Sequence, residues 1–220
     1  MNQQAPTTRP TRLSRDLRRR QLLLAAREVF VAQGYHSAAM DEIAEAAGVS
    51  KPVLYQHFPS KRELYLALLG EHTQQLIDAV RAALESTRAN KQRVAATLSA
   101  YFAFIDTESE AFRLVFESDL TNDPQARGLL DRVTDECSKM FADVIIEDTR
   151  LPRPEAELLA VALAGMAQVS ARFWLRNGRT IPRETVDALM AQLAWRGIRG
   201  FPAESPSGTA GPNRPGPEVG

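Results

Sequence analysis

From Leu17 nearly to Gly200 the apolar positions recur at helical spacing, and no alternating β-branched run is bounded by a hairpin turn. Breaks fall at Gly34, Gly48, Pro59, Asn122-Asp123-Pro124, Pro152/Pro154 and Asn177-Gly178 to Pro182, which cut the chain into roughly nine helices. The expectation is an all-α fold. Its first helix presents Leu22, Leu23, Ala26, Val29 and Phe30 on one face, and Gly34 is placed to end it. Residues 1–14 are polar and read as a flexible arm. Residues 201–220 are rich in Pro and Gly and read as a disordered tail.

The stretch 39–58, AMDEIAEAAGVSKPVLYQHF, carries the most specific pattern. It predicts a short helix over about 40–47, a turn at Gly48-Val49-Ser50, and a second helix from about Lys51 to Phe58. Ile43, Ala47, Val49, Leu54 and Phe58 are the packing positions, and Ala44 is small where the two helices approach. A turn this sharp needs positive φ at Gly48, which costs other residues about 1 kcal/mol or more. Ser50 is placed to cap the second helix, and Pro52 sits in its first turn, where a missing N–H is harmless. This is helix-turn-helix spacing, although an ordinary helical hairpin shares it. The exposed side of the second helix decides between them. It offers Lys51, Pro52, Val53, Tyr55, Gln56 and His57, with Lys61 just beyond, and no acid falls between Glu45 and Glu63. A solvated helix would carry Glu–Lys pairs there. Pro52 and Val53 suit thymine methyls, Lys51 and Gln56 suit base edges, and Tyr55, His57 and Lys61 suit phosphates. Such a helix fits the major groove of double-stranded DNA.

Charge agrees with that reading. The net charge is zero, yet residues 1–62 hold ten Lys/Arg against five Asp/Glu, and the remainder 17 against 22. A basic head meets a polyanion and an acidic body does not. Arg15, Arg18, Arg19 and Arg20 crowd the first turns of the first helix, where cations oppose the macrodipole and an external anion would relieve them. The chain has 220 residues, 44% hydrophobic and 25% charged, so one or two globular domains are expected. Its longest uncharged stretch, Leu158 to Ala171, has 14 residues, short of the ~20 that a membrane span needs. Cys137 is the single cysteine, which excludes an internal disulfide and suggests a reducing, cytoplasmic setting.

The stretch from Arg18 to Leu69, with GYHSAAMDEIAEAAGVSKPVLYQHFPSKRELYLALL, resembles the DNA-binding domain of TetR-family transcriptional regulators. The resemblance implies a helix-turn-helix head at residues 15–62 and a ligand-binding and dimerisation body at 63–200. It also implies a homodimer on a palindromic operator and a small hydrophobic effector. It places Lys51, Pro52, Val53, Tyr55, Gln56 and His57 on DNA, with Lys61 on phosphate and Met40 at a position that often reaches DNA; Arg18 and Arg19, from the basic start of the first helix, are expected on DNA as well. Many members have Ser or Thr where this chain has Ala39, so that cap and its phosphate contact are lacking. The recognition segment, the run YFAFIDTESEAFRLVFESD and the stretch ARFWL are further similar to the FasR-type regulators of actinobacteria. That likeness implies control of fatty-acid synthase genes and release from DNA by long-chain acyl-CoA. The alternative is a repressor of an efflux or catabolic operon, released by a hydrophobic drug or metabolite.

In the body, Leu98, Tyr101, Phe102 and Ile105 share one face, and Phe112, Phe116, Phe141, Met166 and Phe173 add to a candidate apolar cavity. A plain core has the same spacing. Residues 158–171 are apolar or small almost all round, so that helix buries two faces. Ala160, Ala164 and Ala167, with Ala188, Ala191 and Trp195 of the last helix, are the expected two-fold interface. Val186, Met190 and Leu193 are expected to face the core. The sequence carries no G-x-S-x-G, no phosphate-cradling glycine loop and no metal-ligand spacing among His36, His57, His72 and Cys137. Neither an enzyme nor a metal or cofactor is expected.

Overall fold

The computed structural model describes residues 14–107 and 123–198, and these form eight α-helices without a strand. They are α1 (Arg15–Ser37), α2 (Met40–Ala46), α3 (Lys51–His57), α4 (Lys61–Glu85), α5 (Asn90–Thr107), α6 (Pro124–Thr149), α7 (Arg153–Arg176) and α8 (Arg183–Ile198). Phe112 and Phe116 lie outside the described residues.

Local chemistry sets most boundaries. The Ser14, Ser60 and Asp123 side chains accept from the first free amides of α1, α4 and α6. Gly48 turns the chain from α2 into α3 at φ +62°, as expected. Gly34 also has positive φ, +81°, but α1 continues past it as a kink to Ser37 instead of ending there. Ser50 does not cap α3 with its hydroxyl. Pro52 removes the second amide, and the third, from Val53, is held by the Ser50 carbonyl at 3.0 Å. At Ala39 the missing hydroxyl is partly offset, because the Glu42 carboxylate accepts from the Ala39 N–H at 3.0 Å.

The head core joins Leu22, Leu23, Ala26 and Phe30 of α1 to Ile43 of α2, Leu54 of α3 and Phe58 beyond it. It is completed by Leu64, Tyr65, Leu68 and Leu69 of α4 and by Ala126 of α6. The expected boundary at residue 62 therefore falls within α4, whose first turns belong to the head. Each such fully buried large side chain stabilises by about 1.5–3 kcal/mol. In the body α6 packs along both α4 and α7, and α5 packs along α4 and α8. The α4 and α6 helices run side by side away from the head. Leu129 lies beside Gly70, Arg132 bonds Gln74, and Cys137 packs with Leu76 and Val80.

Candidate nucleic-acid interface and internal slot

The outer side of α3 is open. Lys51, Pro52, Tyr55 and Gln56 are exposed, Tyr55 by 45%, while Val53 and His57 are half-buried at its flank. Leu54 is buried and anchors the helix. Two stays hold this surface. Gln21 of α1 donates to the Ala47 carbonyl at 2.7 Å and accepts from Arg18 at 2.8 Å, a tie that spacing alone does not reveal. Arg19 lies 4.5 Å over the Phe58 ring, a cation–π contact at the end of α3. The His57 imidazole is held below its ordinary value, first by burial and then by Arg15, Arg19 and Arg18. The α1 arginines and the end of α3 thus form one electropositive region.

Two residues assigned to DNA sit differently from expectation, and a third is engaged by a neighbour. Met40 is buried in the head core, where its side chain packs and does not project. Lys61 donates to the His36 and Ala38 carbonyls at 3.0 and 2.8 Å and lies 4.8 Å from the Tyr35 ring, so it ties down the end of α1. Lys51 is exposed but ion-paired with Asp41 of α2.

The body contains an apolar slot of about 130 Å³. Leu69, Thr73, Leu76, Val80 and Leu84 line it from α4 at positions i, i+4, i+7, i+11 and i+15. Leu130, Thr134, Cys137, Phe141 and Ile145 do the same from α6. The slot therefore runs for about 22 Å along the parallel α4 and α6, at 1.5 Å per residue, with α5 and α7 closing its other sides. Its inner end is the head, since Leu69 belongs to the head core and Leu130 packs against it. Of the expected lining, Leu98, Tyr101, Phe141 and Met166 are present. Phe102 and Ile105 are instead fully buried in the α5–α7–α8 core, where Phe102 meets Trp174 edge-on at 6.0 Å. Phe173 is 58% exposed on the outside of α7. Burial pushes the Cys137 thiol up to about 11 and raises the Tyr101 phenol well above its usual range, so both stay protonated at neutral pH. Among the described residues no group of three or more acids, His or Cys could hold a metal.

Of the residues assigned to a partner contact, those of α7 lie inside the subunit. Ala160 and Ala167 are buried inside the subunit and Ala164 lines the slot. Small residues let α7 lie close to its neighbours, so they end inside. The exposed apolar stripe of α7 is Leu158, Val161, Val169 and Phe173. On α8, Val186, Met190 and Ala194 face the core, whereas Leu189 and Leu193 are more than half exposed and Ala188 lies on their side. Ala191 and Trp195 are half-buried. The α7 helix is long and apolar enough to cross a membrane by length and composition. In the fold that apolarity serves a core face and an outer face.

Residues 22–68 match the family model described as bacterial regulatory proteins, tetR family, and residues 79–210 match a tetracyclin repressor-like C-terminal domain. The chain is 47% identical over 194 residues to the HTH-type transcriptional activator FasR of Mycolicibacterium smegmatis, covering 88% of this chain and 89% of that one. A TetR-like transcriptional regulator from Rhodococcus sp. RHA1 shares the fold with a TM-score of 0.68 and 27% identity, over 86% of this chain and 100% of the other. The regulator FadR of Bacillus subtilis, solved in complex with stearoyl-CoA, shares the fold with a TM-score of 0.65 at 18% identity, over 80% and 96%.

Proposed function

The chain belongs to the tetR family of bacterial regulatory proteins and is a TetR-type transcriptional regulator, and from that premise we propose that it senses long-chain acyl-CoA and controls genes of fatty-acid synthesis. The observation that carries the proposal is the shape of the slot. A volume of 130 Å³ spread along about 22 Å suits one extended chain better than a compact drug.

A void near 150 Å³ holds a molecule about the size of benzene, so a long chain enters only by spreading the helices that wall the slot, α4 and α6 among them. Both helices end in the head. Leu68 and Leu69 of α4 and Ala126 of α6 are part of its core, and Arg62 grips Asp123, the cap of α6, through two bonds of 2.6 and 2.9 Å. A chain long enough to reach Leu69 and Leu130 therefore acts on the seat of α3, and a short one does not. Coupling of this kind is reciprocal and worth ~1–3 kcal/mol.

On DNA, Lys51 and Gln56 read base edges, Pro52 and Val53 meet thymine methyls, and Tyr55, His57, Arg18 and Arg19 hold phosphates. Lys51 first exchanges Asp41 for its base. The protein works in the cytoplasm as a homodimer on a palindromic operator. Its subunits meet through the outer stripe of α7 and the Leu189–Leu193 side of α8, which support a four-helix two-fold contact. The test is a binding assay on the fatty-acid synthase promoter region of its genome with palmitoyl-CoA and butyryl-CoA. Release by the long chain alone is expected, and indifference to both overturns the proposal.

A further inference from the structure

The lining of the slot is mostly apolar, with His72 and Thr73 near the head and Arg93 at the end away from it. Among the described residues Arg93 is the only Lys, Arg, Asp or Glu of that lining. It stands on the first turn of α5, level with Leu84 and Ile145, the outermost members of the α4 and α6 stripes. Its side chain is 19% exposed, so it reaches both slot and solvent. Its Nε donates to the Thr87 carbonyl at 2.9 Å, which fixes the guanidinium in place. Its Nη1 is committed only weakly, lying 3.4 Å from both Asn90 Oδ1 and Glu147 Oε2, beyond the usual range for such bonds.

One turn further in, on the same face of α5, is Thr97. This residue is 6% exposed and lines the slot, and its hydroxyl is buried with no hydrogen-bond partner. An unpaired buried hydroxyl is costly, and it becomes favourable when a ligand supplies an acceptor. Thr73, a comparable threonine nearer the head, has its hydroxyl satisfied by the Gly70 carbonyl at 3.0 Å. Thr97 thus brings a slot-lining hydroxyl without a partner to within one helical turn of Arg93.

We propose that Arg93 and Thr97 form an anchor for the acyl carbonyl head of the ligand, so that the chain enters tail-first and points towards the DNA-binding head. The inference rests on the acyl-chain reading of the slot and adds polarity to it. A carboxylate or a thioester carbonyl would be held by the Arg93 guanidinium and would accept from the Thr97 hydroxyl, while the methyl end would meet Leu69 and Leu130. The same orientation explains why length is sensed at the head, because the fixed end is the far one.

The test is calorimetric titration of the full-length protein with palmitate, palmitoyl-CoA and 1-hexadecanol, which share a chain and differ at the head. The wild type is expected to bind palmitate or palmitoyl-CoA about tenfold or more tightly than the alcohol, as a charge-assisted hydrogen bond allows. Which acyl compound is favoured identifies a carboxylate or a thioester head. Arg93→Met is expected to remove that advantage, bringing the acyl compounds to the affinity of the alcohol. Because Arg93 also ties the α4–α5 turn, Glu147→Gln supplies a second variant. Glu147 is 70% exposed and is not among the lining residues, so the variant frees Nη1 without altering the slot, and acyl binding is expected to tighten. Equal affinity of the wild type for all three ligands overturns the anchor and leaves the acyl-chain slot standing. Binding of none of them overturns both.

Discussion

Thr97→Val exchanges a buried hydroxyl for a methyl of nearly the same shape, and its effect follows from the accounting at that atom. The residue is 6% exposed and its hydroxyl has no partner, so the folded state bears the desolvation of a polar group and receives no hydrogen bond in return. That penalty is about 1–3 kcal/mol. Valine removes it and adds apolar contact, and the helix propensities of the two residues are close. The ligand-free protein is expected to gain about 1–2 kcal/mol, which for a chain of this size raises Tm by roughly 2–8 °C. Thr97→Ser is the control. It keeps the unpaired hydroxyl and loses a methyl, and it is expected to destabilise by about 1 kcal/mol. Thermal and urea unfolding at one fixed protein concentration read both changes, because the midpoint of any self-associating protein moves with concentration. The stabilised variant is also expected to gain less Tm from palmitoyl-CoA than the wild type does. A valine variant that unfolds at lower temperature than wild type would refute the reasoning, since the hydroxyl would then have an acceptor, such as trapped water, and the slot would be wet.

His57 is depressed by burial and by Arg15, Arg19 and Arg18, so the free protein carries it neutral below its ordinary 6.5. A phosphate beside it offsets those arginines and raises its pKa, and the complex takes up a proton. Operator affinity is therefore expected to rise as pH falls through the region just below 6.5, and His57→Gln is expected to flatten that profile in fluorescence anisotropy. Phe173→Glu with Leu193→Glu charges the outer stripe of α7 and α8 without entering the subunit core. Sedimentation is expected to show a folded monomer that has lost operator binding, whereas an intact dimer would show that subunits meet elsewhere. Arg62→Met releases Asp123, whose carboxylate keeps the Gln125 and Ala126 amides and so still caps α6. Acyl-CoA is expected to bind as before and to dissociate DNA less completely.

The head was legible because its decisive residues act locally. Gly48 is needed for the turn, Pro52 fits only a first helical turn, and the outer side of α3 is marked by its lack of acids. Lys61 and Met40 were less legible, since a surface cation and a carbonyl-bonding cation look alike in sequence, as do a projecting and a packed methionine. The slot was half legible. Tyr101 and Phe141 stood out as aromatics, but the α4 and α6 stripes that form its long walls have the period of any core-facing stripe. Whether such a stripe meets a neighbour or a void depends on three-dimensional packing. The small residues of α7 lie on the inner face for a related reason. A helix apolar all round gives no direction, and the small residues Ala156, Ala160, Ala167 and Ala171 were drawn inward because close approach to other helices requires them.

A long acyl chain in the slot is expected to reach the head and loosen its hold on DNA. The most direct measurement is the affinity of the purified protein for its promoter as acyl-CoA chain length increases at a fixed free concentration. Affinity is expected to hold for short chains and to fall sharply once the chain spans the slot of about 22 Å from Arg93 to Leu69 and Leu130. An affinity that stays constant at every length, or declines equally for short and long chains, would contradict it.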